Sequence, residues 1–140
     1  MKTIRQTATI RGATPHDIYE TIMDSKKHTK LSQQPTKVSR KVGGAFTVGH
    51  DLEGQQVALT KDKKIVQTWR ANNWPKGTYS QATFALARAA GGTKVTFTQT
   101  GVPDEFYGEI SEGWRRYYWV PLRQQYGAAK KPAKKTKRAK

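Results

Sequence analysis

Three histidines, His16, His28 and His50, and the acid pair Asp51 and Glu53 are the side chains best suited to moving protons. A histidine titrates near neutrality, so His28 or His50 at the mouth of a cavity would serve as an acid–base group. Asp51 and Glu53 stand two apart, and strand alternation would put both carboxylates on one face, either as a catalytic pair or as a solvated patch beside the Gly54 bend. The histidines fall in different predicted elements, however, and no His-x-x-x-His spacing joins them as metal ligands would be joined. The chain has no cysteine, which excludes disulfides, thiolate metal sites and a cysteine nucleophile. Gly43-Gly44 and Gly91-Gly92 lack the Lys-Ser/Thr and following helix of a phosphate-cradling loop. No nucleophile–base constellation is visible and neither a metal nor a cofactor is expected. Binding is therefore the leading expectation. A cyclase- or hydrolase-like enzyme, working through a few polar groups in a cavity, is kept as an alternative.

Aromatic side chains are the other conspicuous chemistry. Phe46, Trp69, Phe84, Phe97, Trp114, Tyr117 and Tyr118 are the expected lining of any apolar cavity, with Leu31 at its mouth. Plain core packing accounts for the same set, since large aromatics fill cores. Trp74 and Pro75 sit in a turn with polar neighbours. They are candidates for a partner surface, where an exposed Trp acts as an anchor, or for a turn folded back over the sheet edge.

Elements that would position these groups can be read from periodicity. Thr3 to Arg11 alternates, with Ile4, Ala8 and Ile10 on one side, and reads as a first strand. Thr14-Pro15-His16-Asp17 then combines a cap, a proline at the first helical position and an acid three residues on, so a helix starts there. Ile18 and Ile22 form its apolar stripe. A second short helix opens at Asp24 or Ser25, runs through Leu31 and ends near Pro35.

From Val38 to Thr100 short β-type runs alternate with turn residues, giving about six strands in a mostly meandering antiparallel sheet. Gly54 is the expected bulge or bend within the run Leu52 to Leu59. From Asp104 to Tyr126, Ile110, Trp114, Tyr117, Tyr118, Leu122 and Tyr126 recur at helical spacing, so a long amphipathic helix with an aromatic face closes the domain. Gly113 would let helix and sheet approach closely, Pro121 would kink the helix or leave its last turn separate, and Gly127 would stop it. The fold class is α+β, a curved antiparallel sheet of about seven strands wrapped around that C-terminal helix, with two short helices after the first strand. A cavity between sheet and helix follows from the imperfect fit of the two surfaces.

Four stretches resemble one family pattern: Ile65-Val66-Gln67-Thr68-Trp69-Arg70, Trp74-Pro75-Lys76-Gly77-Thr78-Tyr79, Thr100-Gly101-Val102-Pro103, and Glu112-Gly113-Trp114-Arg115-Arg116-Tyr117-Tyr118-Trp119. They resemble, in order and spacing from about Thr3 to Tyr126, the domain family named after the C-terminal domain of the activator of heat shock protein 90 ATPase. That family lies in the START-like, birch-pollen-allergen-like helix-grip superfamily. The resemblance implies a helix-grip fold, in agreement with the periodicity. For function it implies either a co-chaperone-type contact with a heat shock protein 90-type chaperone, as part of a stress response, or a small hydrophobic ligand held in the cavity. Two departures bear on this. The chain has no room for the co-chaperone's separate N-terminal domain, and His28-Thr29-Lys30-Leu31 lacks the aromatic that many single-domain relatives carry after the histidine.

Length and charge set the remaining bounds. The 140 residues carry 26 Lys and Arg against 10 Asp and Glu, a formal +16. Seven of the bases, Lys130, Lys131, Lys134, Lys135, Lys137, Arg138 and Lys140, lie in the last thirteen residues with no acid among them. Setting these seven aside leaves 19 bases against 10 acids, a net +9 on residues 1–127. The expected organisation is a helix-grip domain at 1–127 and a disordered Lys/Ala/Pro-rich tail at 128–140. Such a tail would either serve only to solubilise the chain or bind nucleic acid or another polyanion weakly and without sequence preference, and a nucleic-acid-associated role is the alternative from a different class. Arg115, Arg116 and Arg123 are placed on the polar face of the last helix, where they solubilise it or extend a basic surface. No apolar run is long enough to span a bilayer and the N-terminus lacks an apolar signal region, so a cytoplasmic location without membrane insertion is expected. In a nucleated cell, Lys-Lys-Thr-Lys-Arg would also suit nuclear import.

Overall fold

The computed structural model describes residues 1–129, so the basic segment from Lys130 onward lies outside the described residues. Strand β1 (Lys2–Arg11) is followed by helices α1 (Pro15–Met23) and α2 (Ser25–Ser32). Six strands come next: β2 (Thr36–Val38), β3 (Ala45–Val48), β4 (Leu52–Thr60), β5 (Lys64–Ala71), β6 (Ser80–Ala89) and β7 (Gly92–Val102). A 3-10 turn at Asp104–Phe106 leads into α3 (Tyr107–Trp114), a π-helical turn at Arg115–Trp119 and α4 (Val120–Ala129). All seven strands form one antiparallel sheet in the order β1-β7-β6-β5-β4-β3-β2. Only β1 breaks the sequential order, because it returns to pair with β7. The architecture is the α+β helix-grip arrangement expected from the sequence.

Local chemistry explains the helix starts. Thr14 Oγ1 accepts from Asp17 N–H at 3.0 Å while Asp17 Oδ2 accepts from Thr14 N–H at 2.9 Å, a complete capping box with Pro15 at the first helical position. Asp24 ends α1 and caps α2, its carboxylate accepting from Lys27 N–H at 2.9 Å.

Three details differ from the sequence expectation. Gly54 is not the bulge, because the register shift in β4 falls between Gln56 and Ala58. Glycine is required there because a Cβ would overlap the Thr68 carbonyl oxygen and crowd the Phe46 ring. Pro121 does not split off the last turn. Its ring would clash with the carbonyl four residues back, and the backbone answers by widening at 115–119, where Val120 N–H donates to Arg115 O, five residues earlier. The helix also passes Gly127 and continues to Ala129.

Inward-facing strand residues and the helices share one core. Phe84 and Phe97 are fully buried with ring centroids 5.0 Å apart, and Trp114 lies 4.3 Å from Phe97. Inward-facing glutamines tie the last helix to the sheet. Trp114 Nε1–H donates to Gln99 Oε1 at 2.7 Å, Gln99 Nε2 donates to Ser80 Oγ at 2.8 Å, and the Ser80 hydroxyl donates to Trp69 O at 2.7 Å. Trp119 Nε1–H donates to Gln6 Oε1 at 2.6 Å, and Gln6 Nε2 returns to Ser111 O at 2.9 Å. Each indole nitrogen that enters the sheet from this helix therefore meets an amide placed at an inward strand position.

Candidate functional site

A groove of about 570 Å³ opens between α3 with its π turn and the ends of β3, β4 and β5. Trp69, Trp114 and Tyr118 form its aromatic floor, each 6% exposed or less. Val48, Leu52 and Ala71 form the sheet-side wall. Gln34, Asp51, Asn72, Glu109 and Arg116 stand at the rim. Gly113 borders the groove as well. A Cβ built there meets only Tyr117 Cδ2, at 3.9 Å. The absent side chain therefore leaves space over the floor; it does not bring helix and sheet backbones together, which is what the sequence suggests.

Of the eight residues assigned to a cavity from sequence, Trp69, Trp114, Tyr117 and Tyr118 border this groove. Tyr117 is 54% exposed, at the edge. Phe46, Phe84, Phe97 and Leu31 are buried in the core beneath and beside it. The turn residue Trp74 is 3% exposed, with its ring 5.5 Å from Trp69 and 6.2 Å from Phe106, so it supports the floor while Pro75 alone of the pair faces solvent. Arg70 holds that turn: its guanidinium donates to Trp74 O at 2.8 Å and to Thr78 O at 3.3 Å. The seven tail cations lie outside the described residues.

Proton-active side chains do not converge. His16 pairs with Asp62 at 3.0 Å in the open, and His50 is exposed in a turn. Asp51 faces the groove from the β3–β4 turn, whereas Glu53 pairs with Arg70 at 3.3 Å on the other side of the strand, so the two carboxylates do not act together. Among the described residues no group of three or more His, Asp or Glu gathers as metal ligands would.

His28 is different. It is 5% exposed, and its Nδ1 lies 2.9 Å from Ile22 O. A carbonyl only accepts, so Nδ1 carries the proton and Nε2 accepts from the Tyr118 hydroxyl at 2.7 Å. Burial lowers the His28 pKa, partly opposed by the Ile22 bond, and burial raises that of Tyr118 well above the ordinary phenol range. This neutral, satisfied pair fixes the groove floor to α2. It holds Tyr118 in place and leaves its hydroxyl turned away from any ligand.

Sequence reasoning missed the rim amides and the inward glutamines. Gln6, Gln56, Gln67 and Gln99 occupy positions that strand alternation sends inward, and a polar residue at such a position was the available signal.

A family model described as "Activator of Hsp90 ATPase homolog 1-like protein" matches residues 12–125. An activator of 90 kDa heat shock protein ATPase homolog from Dictyostelium discoideum is 34% identical over 104 residues, covering 73% of this chain and 27% of that protein. An uncharacterized Schizosaccharomyces pombe protein is 30% identical over 116 residues, 82% of this chain and 34% of its own. The chain thus spans about a third of the length of these curated relatives. Among solved structures, an HSP90 activator from Plasmodium falciparum superposes with a TM-score of 0.82 at 22% identity, covering 91% of this chain and 97% of that one. Among the described residues no helix is long and apolar enough to cross a membrane.

Proposed function

The chain belongs to the Activator of Hsp90 ATPase homolog 1-like family, and on that footing we propose that it is a non-enzymatic binding protein that holds a small apolar ligand in the groove between sheet and last helix. One observation carries this reading: an open groove of about 570 Å³ whose floor is Trp69, Trp114 and Tyr118, a volume and an aromatic surface suited to a small molecule. The rim amides and charges would orient a polar end of the ligand, while the floor buries its apolar body.

Gly113→Leu is the sharpest test. A Cβ at Gly113 meets nothing closer than 3.9 Å and the groove lies beside it, and removing a mid-helix glycine favours the helix by roughly 0.5–1 kcal/mol. The variant should therefore fold at least as well as the parent while losing about tenfold or more in affinity for an apolar fluorescent dye. Unchanged dye affinity would place binding elsewhere. A second reading, contact with a heat shock protein 90-type chaperone, is favoured by the family match and by the name of the Dictyostelium relative. Adding the full chain to that chaperone should raise its ATP turnover, and an unchanged rate at saturating protein would count against it.

A further inference from the structure

We propose that the outer face of the β1-β7-β6-β5 half of the sheet is a docking surface for duplex nucleic acid, contacted through its phosphates. The first observation is a charge asymmetry: residues 1–16 and 63–103, which supply all four of these adjacent strands, contain no Asp or Glu. Pairing register then sorts their side chains by face. The rows Gln6–Phe97–Phe84–Ile65 and Ala8–Val95–Leu86 point inward. The alternate rows, Arg5–Thr98–Thr83–Val66 and Thr7–Thr96–Ala85–Lys64, therefore point outward, as do Thr9–Lys94 and Arg11. Arg5, Arg11, Lys64 and Lys94 are all exposed there, and none takes part in an ion pair among the described residues.

Strand geometry sets the scale. With about 3.3 Å per residue and about 4.8 Å between strands, Lys94 lies roughly 8 Å from Arg11, and Arg5 lies roughly 16 Å from Lys64. Charges at this spacing act as one field at low salt, where the screening length is about 10 Å or more. A duplex carries one negative charge per about 1.7 Å of its axis, so it offers each of these four side chains a phosphate.

The rest of the face decides what kind of polyanion fits. The cations are interleaved with threonine hydroxyls, which donate to phosphate oxygens. Within these rows no aromatic points outward, and exposed Tyr79, 5.7 Å from the Arg70 guanidinium, lies beyond them at the far end of β5, so the four cations lack the interleaved rings on which single strands stack. No Trp, Tyr, Leu or Met anchor stands among them either, which argues against an acidic protein or insertion into a lipid surface. Arg123, exposed on α4, donates to Thr9 O at 3.4 Å and adds a cation beside β1.

The test compares two triple variants of the full chain by fluorescence anisotropy on a 20-base-pair duplex across a salt series. Arg5→Gln/Lys64→Gln/Lys94→Gln removes three sheet cations, and Lys26→Gln/Lys27→Gln/Lys30→Gln removes three from α2, each checked by its melting temperature. The sheet variant should bind about tenfold or more weakly at low salt, and its log K against log salt slope should be shallower by about 2.7, at roughly 0.9 for each phosphate no longer neutralised. The α2 variant should keep both affinity and slope within error. Equal losses in the two variants would mean that net charge alone drives binding, and would overturn the assignment, as would an unaffected sheet variant. Tighter binding by the parent chain to single-stranded DNA, to phosphatidylserine vesicles or to polyglutamate than to the duplex would overturn the choice of occupant.

Discussion

Acidification should weaken this fold through one side chain. His28 sits in the core with both ring nitrogens committed, Nδ1 to Ile22 O and Nε2 to the Tyr118 hydroxyl. A second proton would have to displace the Tyr118 hydrogen and place a charge where water does not reach, which is why burial holds the folded pKa below its ordinary value of 6.5. The unfolded chain has no such restraint and takes up a proton as pH falls through about 6.5. Where the unfolded state binds more protons, stability rises with pH. The His28 contribution is therefore complete above about pH 6.5. It is lost as pH falls, by at most about 1.4 kcal/mol per pH unit, until the lowered folded pKa is reached. Urea unfolding of the parent and of His28→Gln, measured near neutrality and again about one and a half units lower, isolates the effect. The parent should lose more stability over that interval than the variant. Tyr118→Phe should cost about 1–3 kcal/mol at neutral pH by leaving Nε2 buried without a donor, and it should move the His28 pKa back toward its ordinary value. Identical pH dependence in parent and His28→Gln, or an imidazole resonance of His28 titrating at or above 6.5, would refute the reasoning.

Two further perturbations probe how the helix and the groove floor are held. Trp114→Phe leaves Gln99 Oε1, in a side chain with no solvent exposure, without its donor. It should cost about 2–4 kcal/mol by urea unfolding, combining the missing donor with the smaller ring. The double variant with Gln99→Leu should recover part of that loss, and strict additivity of the two single costs would show that the bond carries no coupling. Gly54→Ala forces a methyl against the Thr68 carbonyl and the Phe46 ring. It should cost about 3 kcal/mol or more, with a visible change in near-ultraviolet circular dichroism, and a cost below about 1 kcal/mol would show that β4 and β5 can separate there.

Much of the architecture was legible because its signals are local. Capping at Thr14 and Asp24, alternation in the strands and the helical spacing of Ile110, Trp114, Tyr118 and Leu122 each need only a few neighbouring residues to be recognised. Gly54 misleads for the same reason. What makes it necessary is the carbonyl of Thr68 on the next strand, a partner that no local pattern reveals.

The candidate site was half legible. Trp69, Trp114, Tyr117 and Tyr118 could be nominated by type, but Phe46, Phe84 and Phe97 look the same in sequence and lie in the core. Only the register of seven strands and the rotation of the last helix decide which aromatic rings meet solvent and which meet each other. The same holds for Trp74, polar in its local context yet buried because Trp69 and Phe106 close over it.

Sequence by itself determined the fold class, the family pattern and the uneven distribution of charge, since each depends on composition or on spacing along one stretch of chain. Tertiary structure alone decided that Gly113 opens a groove, that His28 is neutral beneath Tyr118, and that Arg5, Arg11, Lys64 and Lys94 of four acid-free strands share one face. Those facts depend on distances between residues up to about a hundred positions apart, as His28 and Tyr118 are at 90, and such distances are set only when the sheet has curled around its last helix.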